Sequence, residues 1–142
     1  MATETITRGA LAKQTGCNIE TIRYYEDIGL LQQPSRTASG YRVYNADHAR
    51  RLRFILRAKE LGFDRKKIAG LLVLSDSGDV HTRAEVKSLT QTHIDEISER
   101  IRDLQKLKKR LNEISSHCDG SGKSAEGCPI ITTLFGETPE QG

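Results

Sequence analysis

Tryptophan is absent from this 142-residue chain, and aromatic residues make up only 5% of it. Any core must therefore be built mostly from Leu, Ile, Val and Ala. Cysteine is sparse and odd in number, at Cys17, Cys118 and Cys128. An odd count argues against a disulfide framework. No apolar run approaches the roughly 20 residues needed to span a bilayer, so no membrane partner is expected. Met1 to Ile6 lacks the basic and apolar regions of a signal peptide. The expected location is the cytoplasm, where thiols stay reduced. Neither a Gly-rich phosphate loop nor a nucleophile–base arrangement is present, which argues against an enzyme. There is no internal repeat and no low-complexity tract.

What is present is charge, unevenly spread. The net charge is +3, but residues 1–75 carry 13 Lys+Arg against 7 Asp+Glu, and residues 76–142 carry 9 against 12. A basic front half and a mildly acidic back half point to a polyanionic partner at the front. The length suits one compact domain with an appendage.

Punctuation along the front half predicts short helices. Thr7 caps a first helix, Arg8 to Thr15, which Gly16 ends. Asn18 caps a second, Ile19 to Ile28, stopped by Gly29. Two short helices joined by a tight Gly-containing turn make a helix-turn-helix. Gln32 to Gly40 and the alternating Tyr41-Arg42-Val43-Tyr44 read as a hairpin, or wing. Asn45 caps a third helix, Ala46 to Leu61, with Leu52, Ile55, Leu56 and Leu61 on its apolar side. Gly62 closes it, and Asp64 caps a fourth through Ile68, Leu71, Leu72 and Leu74.

Beyond a linker at 76–80, residues 81–117 contain neither Gly nor Pro. Val86, Leu89, Ile94, Ile97, Ile101, Leu104, Leu107, Leu111 and Ile114 supply its apolar positions. From Ile94 onward they recur with a mean period near 3.5, the seam of a helix packed on one partner helix. Such a helix is roughly 55 Å long at 1.5 Å per residue, too long for the front domain to cover. A homodimer is therefore expected. Residues 118–135 form a polar loop and a short helix, and 136–142 are expected to be disordered.

In the second helix, Thr21, Arg23 and Tyr24 lie near the end that enters a major groove, with Ile22 facing inward. Arg reads guanine edges or phosphate, and Tyr hydroxyls favour phosphate. Arg36, Tyr41 and Arg42 form a basic-aromatic wing tip. Arg50, Arg51, Arg53 and Arg57 give the third helix a basic stripe, with Arg50, Arg53 and Arg57 on one face. Thr21, Arg23, Tyr24, Arg36, Tyr41, Arg42 and Arg53 are the candidate DNA-binding residues.

The runs Thr21-Ile-Arg-Tyr-Tyr-Glu26, Gly29-Leu-Leu31, Pro34…Arg36, Gly40-Tyr-Arg-Val-Tyr44, Arg51-Leu-Arg-Phe-Ile55 and Leu61-Gly-Phe63 carry a resemblance. Residues 5–75 resemble the MerR family of bacterial regulators. The ending Cys128-Pro-Ile130 resembles its heavy-metal-sensing branch, whose members respond to copper, zinc, cadmium, lead or mercury. The resemblance implies a mainly α fold. A winged helix-turn-helix DNA-binding domain (1–75) is followed by a dimerisation helix (81–117) that forms an antiparallel coiled coil. An effector loop with a short helix (118–135) completes it. The partners it implies are double-stranded promoter DNA with a pseudo-palindromic operator and, indirectly through that DNA, RNA polymerase. Effector binding is expected to bend and untwist the promoter, so that stored DNA deformation becomes a switch.

Cys118 and Cys128 bracket a nine-residue, Gly-rich loop. Two thiolates do not close a structural zinc site. They suit linear coordination of a soft ion, so Cu(I), Ag(I) or Hg(II) is favoured over Zn(II), Cd(II) or Pb(II). Resemblance to the divalent sensors implies a third Cys, given by the partner subunit, about 35 residues before the first loop Cys. That position holds Arg83. His81 and His117 remain alternative ligands. The rival readings are a redox pair that closes a Cys118–Cys128 disulfide, and a constitutive DNA-binding protein whose thiols sense nothing. Cys17 is expected to be a small, half-buried residue without a ligand role.

Overall fold

The computed structural model describes residues 4–137. The chain is mainly helical and divides into two compact units, the first ending at Val86 and the second starting at Lys87.

In the first unit, four helices begin on a side-chain cap, because the first amides of a helix have no intrahelical acceptor. Thr7 Oγ1 accepts from the Ala10 amide at 3.1 Å and starts α1 (Arg8–Thr15). Asn18 Oδ1 accepts from Thr21 at 2.9 Å and starts α2 (Ile19–Asp27). Asn45 forms a reciprocal capping box with His48 at the head of α3 (Ala46–Glu60). Asp64 accepts from Lys67 at 2.9 Å ahead of α4 (Arg65–Asp76). Gly16 ends α1 with φ 71°, a left-handed conformation that side chains with a Cβ resist. The chain thereby turns tightly into α2.

The wing is a two-stranded antiparallel hairpin, β1 (Ser35–Arg36) and β2 (Arg42–Val43), in register Ser35↔Val43 and Arg36↔Arg42. Just past it, Tyr44 and Ile6 exchange two backbone hydrogen bonds of 2.8 Å and tie the wing to the N-terminal segment. α1 packs on α2 and α3, and α3 on α4. Leu11, Ile22, Leu31, Tyr44, Leu52 and Ile55 are fully buried at the centre.

Four expectations change. Leu61 is 67% exposed, because α3 ends at Glu60 and Leu61 caps it instead of packing. α4 runs on through Asp76, one residue into the expected linker. Arg51 leaves the basic stripe. Its Nε donates to the Leu30 carbonyl at 2.7 Å and its guanidinium pairs with Asp76 at 2.9 Å, fastening α3 to α4. Residues 136 and 137 continue the order of the chain. Their amides bond back to Thr133 and Thr132 at 3.0 and 3.1 Å, while 138–142 lie outside the described residues.

α5 runs Arg83–Ser116 and enters the second unit at Lys87. Thr82 and Glu85 form a capping box at its head. The Glu85 amide donates to Thr82 Oγ1 at 3.2 Å, and the Thr82 amide donates to Glu85 Oε2 at 2.6 Å. Its only buried residue is His93. A polar loop follows, and α6 (Pro129–Leu134) opens on Pro at its first turn, where a missing amide costs nothing.

Candidate nucleic-acid interface and effector site

The first unit presents α2 through a network that sequence reasoning missed. Glu26, on the α2 face shared by Ile22 and Tyr25, is buried. Arg8 of α1 reaches it at 2.8 Å, and Arg8 Nε donates to the Tyr44 hydroxyl at 2.8 Å. The Tyr44 hydroxyl donates in turn to Glu26 Oε1. Burial alone would lower the Arg8 pKa, but the Tyr44 and Glu26 contacts raise it overall. Burial and the bond to Glu26 push the Tyr44 phenol up, so it stays protonated and donates. Three elements are thus locked together: α1, α2 and the segment after the wing. The signal was present in sequence, since a Glu four residues after Ile22 falls on the helix's inner face.

Outward from this anchor, the candidates lie as follows. Thr21 is half-buried and its hydroxyl donates to Asn18 at 3.2 Å, inside the cap. Arg23 is exposed, and the Tyr24 ring is 51% exposed beside buried Tyr25. In the wing, Arg36 donates to the Gly40 carbonyl at 2.9 Å and braces the turn. Tyr41 is 72% exposed, and Arg42 is exposed on β2. Arg53 is exposed on α3. None of Arg23, Arg42 or Arg53 forms an ion pair among the described residues. Cations held on a rigid frame with no internal partner are available to phosphate.

The second unit brings Cys118 and Cys128 together, with their sulfurs 3.7 Å apart and both thiols half-buried and unoxidised. The loop between them is folded by its own short side chains. Asp119 accepts from the Ser121 amide at 3.0 Å, and Ser124 accepts from Glu126 at 3.2 Å. The amides of Ile131 and Ile130 hold the Cys128 thiol below its ordinary pKa, and the contact with Cys118 acts in the same direction. The thiolate, the form that binds metal, is thereby favoured.

Among the described residues there is no group of three His, Cys, Asp or Glu side chains able to hold a metal. His81 sits 3.3 Å from Glu85, and His117 is exposed next to Cys118. Arg83 is exposed and forms no ion pair among the described residues. The donor set on one chain is two sulfurs, which fits a thiophilic ion and leaves a tetrahedral zinc shell incomplete. Cys17 is half-buried, and burial pushes its pKa up, opposite to Cys128.

Known proteins share this fold. Residues 6–73 match the description "MerR HTH family regulatory protein", and residues 49–114 match "MerR, DNA binding". The chain is 40% identical over 127 residues to the mercuric resistance operon regulatory protein of Bacillus cereus, covering 89% of this chain and 95% of that one. It is 34% identical over 126 residues to the regulator ZntR of Escherichia coli K12, covering 89% of each. The crystal structure of the transcription regulator PbrR691 from Ralstonia metallidurans in complex with lead(II) superposes with a TM-score of 0.80. That match is at 31% identity and covers 91% of this chain and 98% of that one. Such proteins are regulators and not enzymes. The chain belongs to the MerR family of helix-turn-helix regulatory proteins and, within it, to the heavy-metal-responsive branch.

Proposed function

We propose that this regulator binds promoter DNA as a homodimer and switches transcription when a soft metal ion is captured by Cys118 and Cys128. The observation that carries the reading is the pair of free sulfurs 3.7 Å apart in the second unit. Thr21, Arg23 and Tyr24 meet the major groove, and Arg36, Tyr41 and Arg42 ride on the flanking backbone, with Arg53 on phosphate. The seam of α5, with Ile97 42% and Leu104 58% exposed on a single chain, pairs antiparallel with a second copy. Two half-sites of a pseudo-palindrome then mirror the twofold axis of the protein. Metal capture changes the distortion imposed on the DNA, and RNA polymerase responds to the DNA.

The ion is Cu(I)-like or Hg(II). Two thiolates leave a −1 charge around a monovalent ion and none around a divalent one. Arg83 occupies the position where the divalent sensors of the branch carry their third Cys. A guanidinium cannot coordinate metal, but it offsets the −1 charge of a site holding a monovalent ion, which puts Cu(I)-like ions first and Hg(II) second, the latter because it also accepts two thiolates. The relatives include a mercuric regulator, ZntR and a lead-bound regulator, so the choice rests on the two-sulfur donor set and on Arg83.

One observation favours a second reading. At a metal–sulfur distance of about 2.3 Å, thiolates lie about 3.8 Å apart on a tetrahedral ion and about 4.6 Å apart on a linear one. The two sulfurs are 3.7 Å apart in this structure. A linear ion must therefore spread the loop by about 0.9 Å, whereas a zinc- or lead-like ion completed by further ligands need not. A metal-panel titration of the reduced protein, read by thiolate-to-metal charge-transfer absorbance, separates the two. Tight binding of Cu(I), Ag(I) or Hg(II) that vanishes in Cys118→Ser supports the first reading. Tight zinc or lead binding without a copper response establishes the second.

A further inference from the structure

We infer that Arg51 is a positioning residue that couples the head of α5 to α2, so that the effector state of the protein reaches the DNA-reading helix through the Arg51–Asp76 pair. The inference rests on the metal-switch reading above and assigns its transmission to named residues. Arg51 stands on α3 and holds two other elements at once. Its Nε donates to the Leu30 carbonyl at 2.7 Å, and its guanidinium meets the Asp76 carboxylate at 2.9 and 3.2 Å. Leu30 lies just past α2, and the amides of Leu30 and Leu31 both donate to the carbonyl of buried Tyr25 on that helix. Asp76 is the last residue of α4. From there the short polar stretch to α5 is held by its own hydrogen bonds. The Ser77 amide donates to the Val73 carbonyl at 3.2 Å, and the Ser77 carbonyl accepts from Val80 at 2.9 Å and from His81 at 3.2 Å. At the start of α5, Glu85 meets the His81 ring at 3.3 Å and the Thr82 amide at 2.6 Å. All of these residues belong to the first unit, which ends at Val86. The head of α5 is thus joined to α2 by a succession of polar contacts, with Arg51 bridging the end of α4 and the end of α2.

Local chemistry argues that Asp76 is placed for this contact. A carboxylate in the last turn of a helix meets the negative end of the helix dipole, and α4 has no basic residue there to offset it. Arg51 supplies that offset from another helix. The pair is also open enough to be remade, since its side chains are 25% and 58% exposed. A contact of that kind is weak, and a weak contact between two elements is one that the differential binding energy of an ion can make or break. The Leu30 bond is short and part-buried, so the α2 side of the link is the firm one. A purely structural role would make the pair a fastener of α3 to α4. Removing a fastener changes stability and leaves the response to an ion as it was.

The test uses the full-length reduced protein and a duplex enriched by the wild type from a randomised library, with a dye on each end. Hg(II), Cu(I) and Zn(II) are the ions. Energy transfer between the dyes reports how far the bound duplex is distorted with and without ion. The ratio of distorted to undistorted duplex with ion, divided by the same ratio without ion, measures the coupling. Asp76→Ala should bind ion alone and duplex alone within about twofold of the wild type, because Asp76 belongs to neither site. It should lower the coupling by about twofold to fivefold, the range that an exposed pair can supply. Asp76→Glu keeps a carboxylate and should restore the coupling. Arg51→Met, which also frees Leu30, should lower it at least as much as Asp76→Ala. Circular dichroism and thermal melts follow the fold of each variant, and Asp76→Asn stands in if Asp76→Ala does not fold. Wild-type coupling in the folded Asp76 variants overturns the inference, whatever the loss of stability, and leaves the pair a fastener. A wild-type complex that responds to none of the three ions overturns the metal-switch reading and the coupling inference with it.

Discussion

The two units solve the burial problem in opposite ways. The first, with a basic surface, finishes its own core: six large side chains are fully buried, four helices start on side-chain caps, and the buried Glu26 is satisfied by Arg8 and Tyr44. The second leaves its apolar seam in water, with Ile94, Ile97, Ile101, Leu104, Leu107 and Leu111 between 42% and 62% exposed, and only His93 is buried along α5. A continuous apolar stripe of that length is the mark of an interaction surface. The lesson is a division of labour. One unit is built to be rigid before it meets DNA. On the function proposed above, the other is completed by a second chain and an ion.

The comparison breaks most visibly at Leu104. Burying Leu104 against a partner contributes about 1.5–3 kcal/mol per chain, counted twice in a dimer, and Leu104→Asp adds a desolvated charge. Sedimentation should find this variant monomeric while the first unit keeps its helices. A wild-type dimer would remove the coiled-coil reading.

The counterpart in the first unit is Glu26→Ala. It strands Arg8 beside an empty acceptor and loosens α2 from α1 and from Tyr44. Removing one partner of a buried pair costs about 3–5 kcal/mol, and both side chains here are largely shielded. Chemical denaturation of the variant should show that loss. A change below about 1 kcal/mol would mean that solvent already screens the network.

A smaller effect is expected at Arg23. Arg23→Ala should cost about 1–3 kcal/mol on operator DNA if it reads a base, and should act on all sequences alike if it holds a phosphate. Because Arg23 is exposed, stability should stay within about 0.5 kcal/mol of wild type. A stability loss as large as that of Glu26→Ala would place Arg23 in the frame and not on its surface.

Much of this frame was legible in the residues. Thr7, Asn18, Asn45 and Asp64 cap the helices as their side chains predict, and Gly16 turns the chain as only a residue without Cβ does cheaply. The seam was legible from its period alone. Other features needed the fold. Arg51 is one arginine in a run of four, and only the folding of α4 back on α3 brings Asp76 to it. Leu61 continues an apolar pattern, yet the helix stops one residue earlier. The Glu26 network joins residues 18 and 36 positions apart, beyond the reach of local periodicity. The Thr82–Glu85 capping box is local and was readable from the spacing of those two residues alone. At the candidate metal site, the two thiols were legible as a pair. Their 3.7 Å separation depends on loop turns built from Asp119, Ser121 and Ser124.

The central claim is that the second unit is completed by another chain and by one thiol-held ion per chain. Native mass spectrometry of the reduced protein with a slight excess of Hg(II), or of Cu(I) under anaerobic conditions, tests both parts at once. The predicted species is a dimer carrying two ions. Cys118→Ser and Cys128→Ser should each remain dimeric and lose both ions, because Leu104 and its neighbours hold the dimer independently of the loop. A monomer would contradict the account, as would a dimer that binds neither ion or keeps both ions in the serine variants.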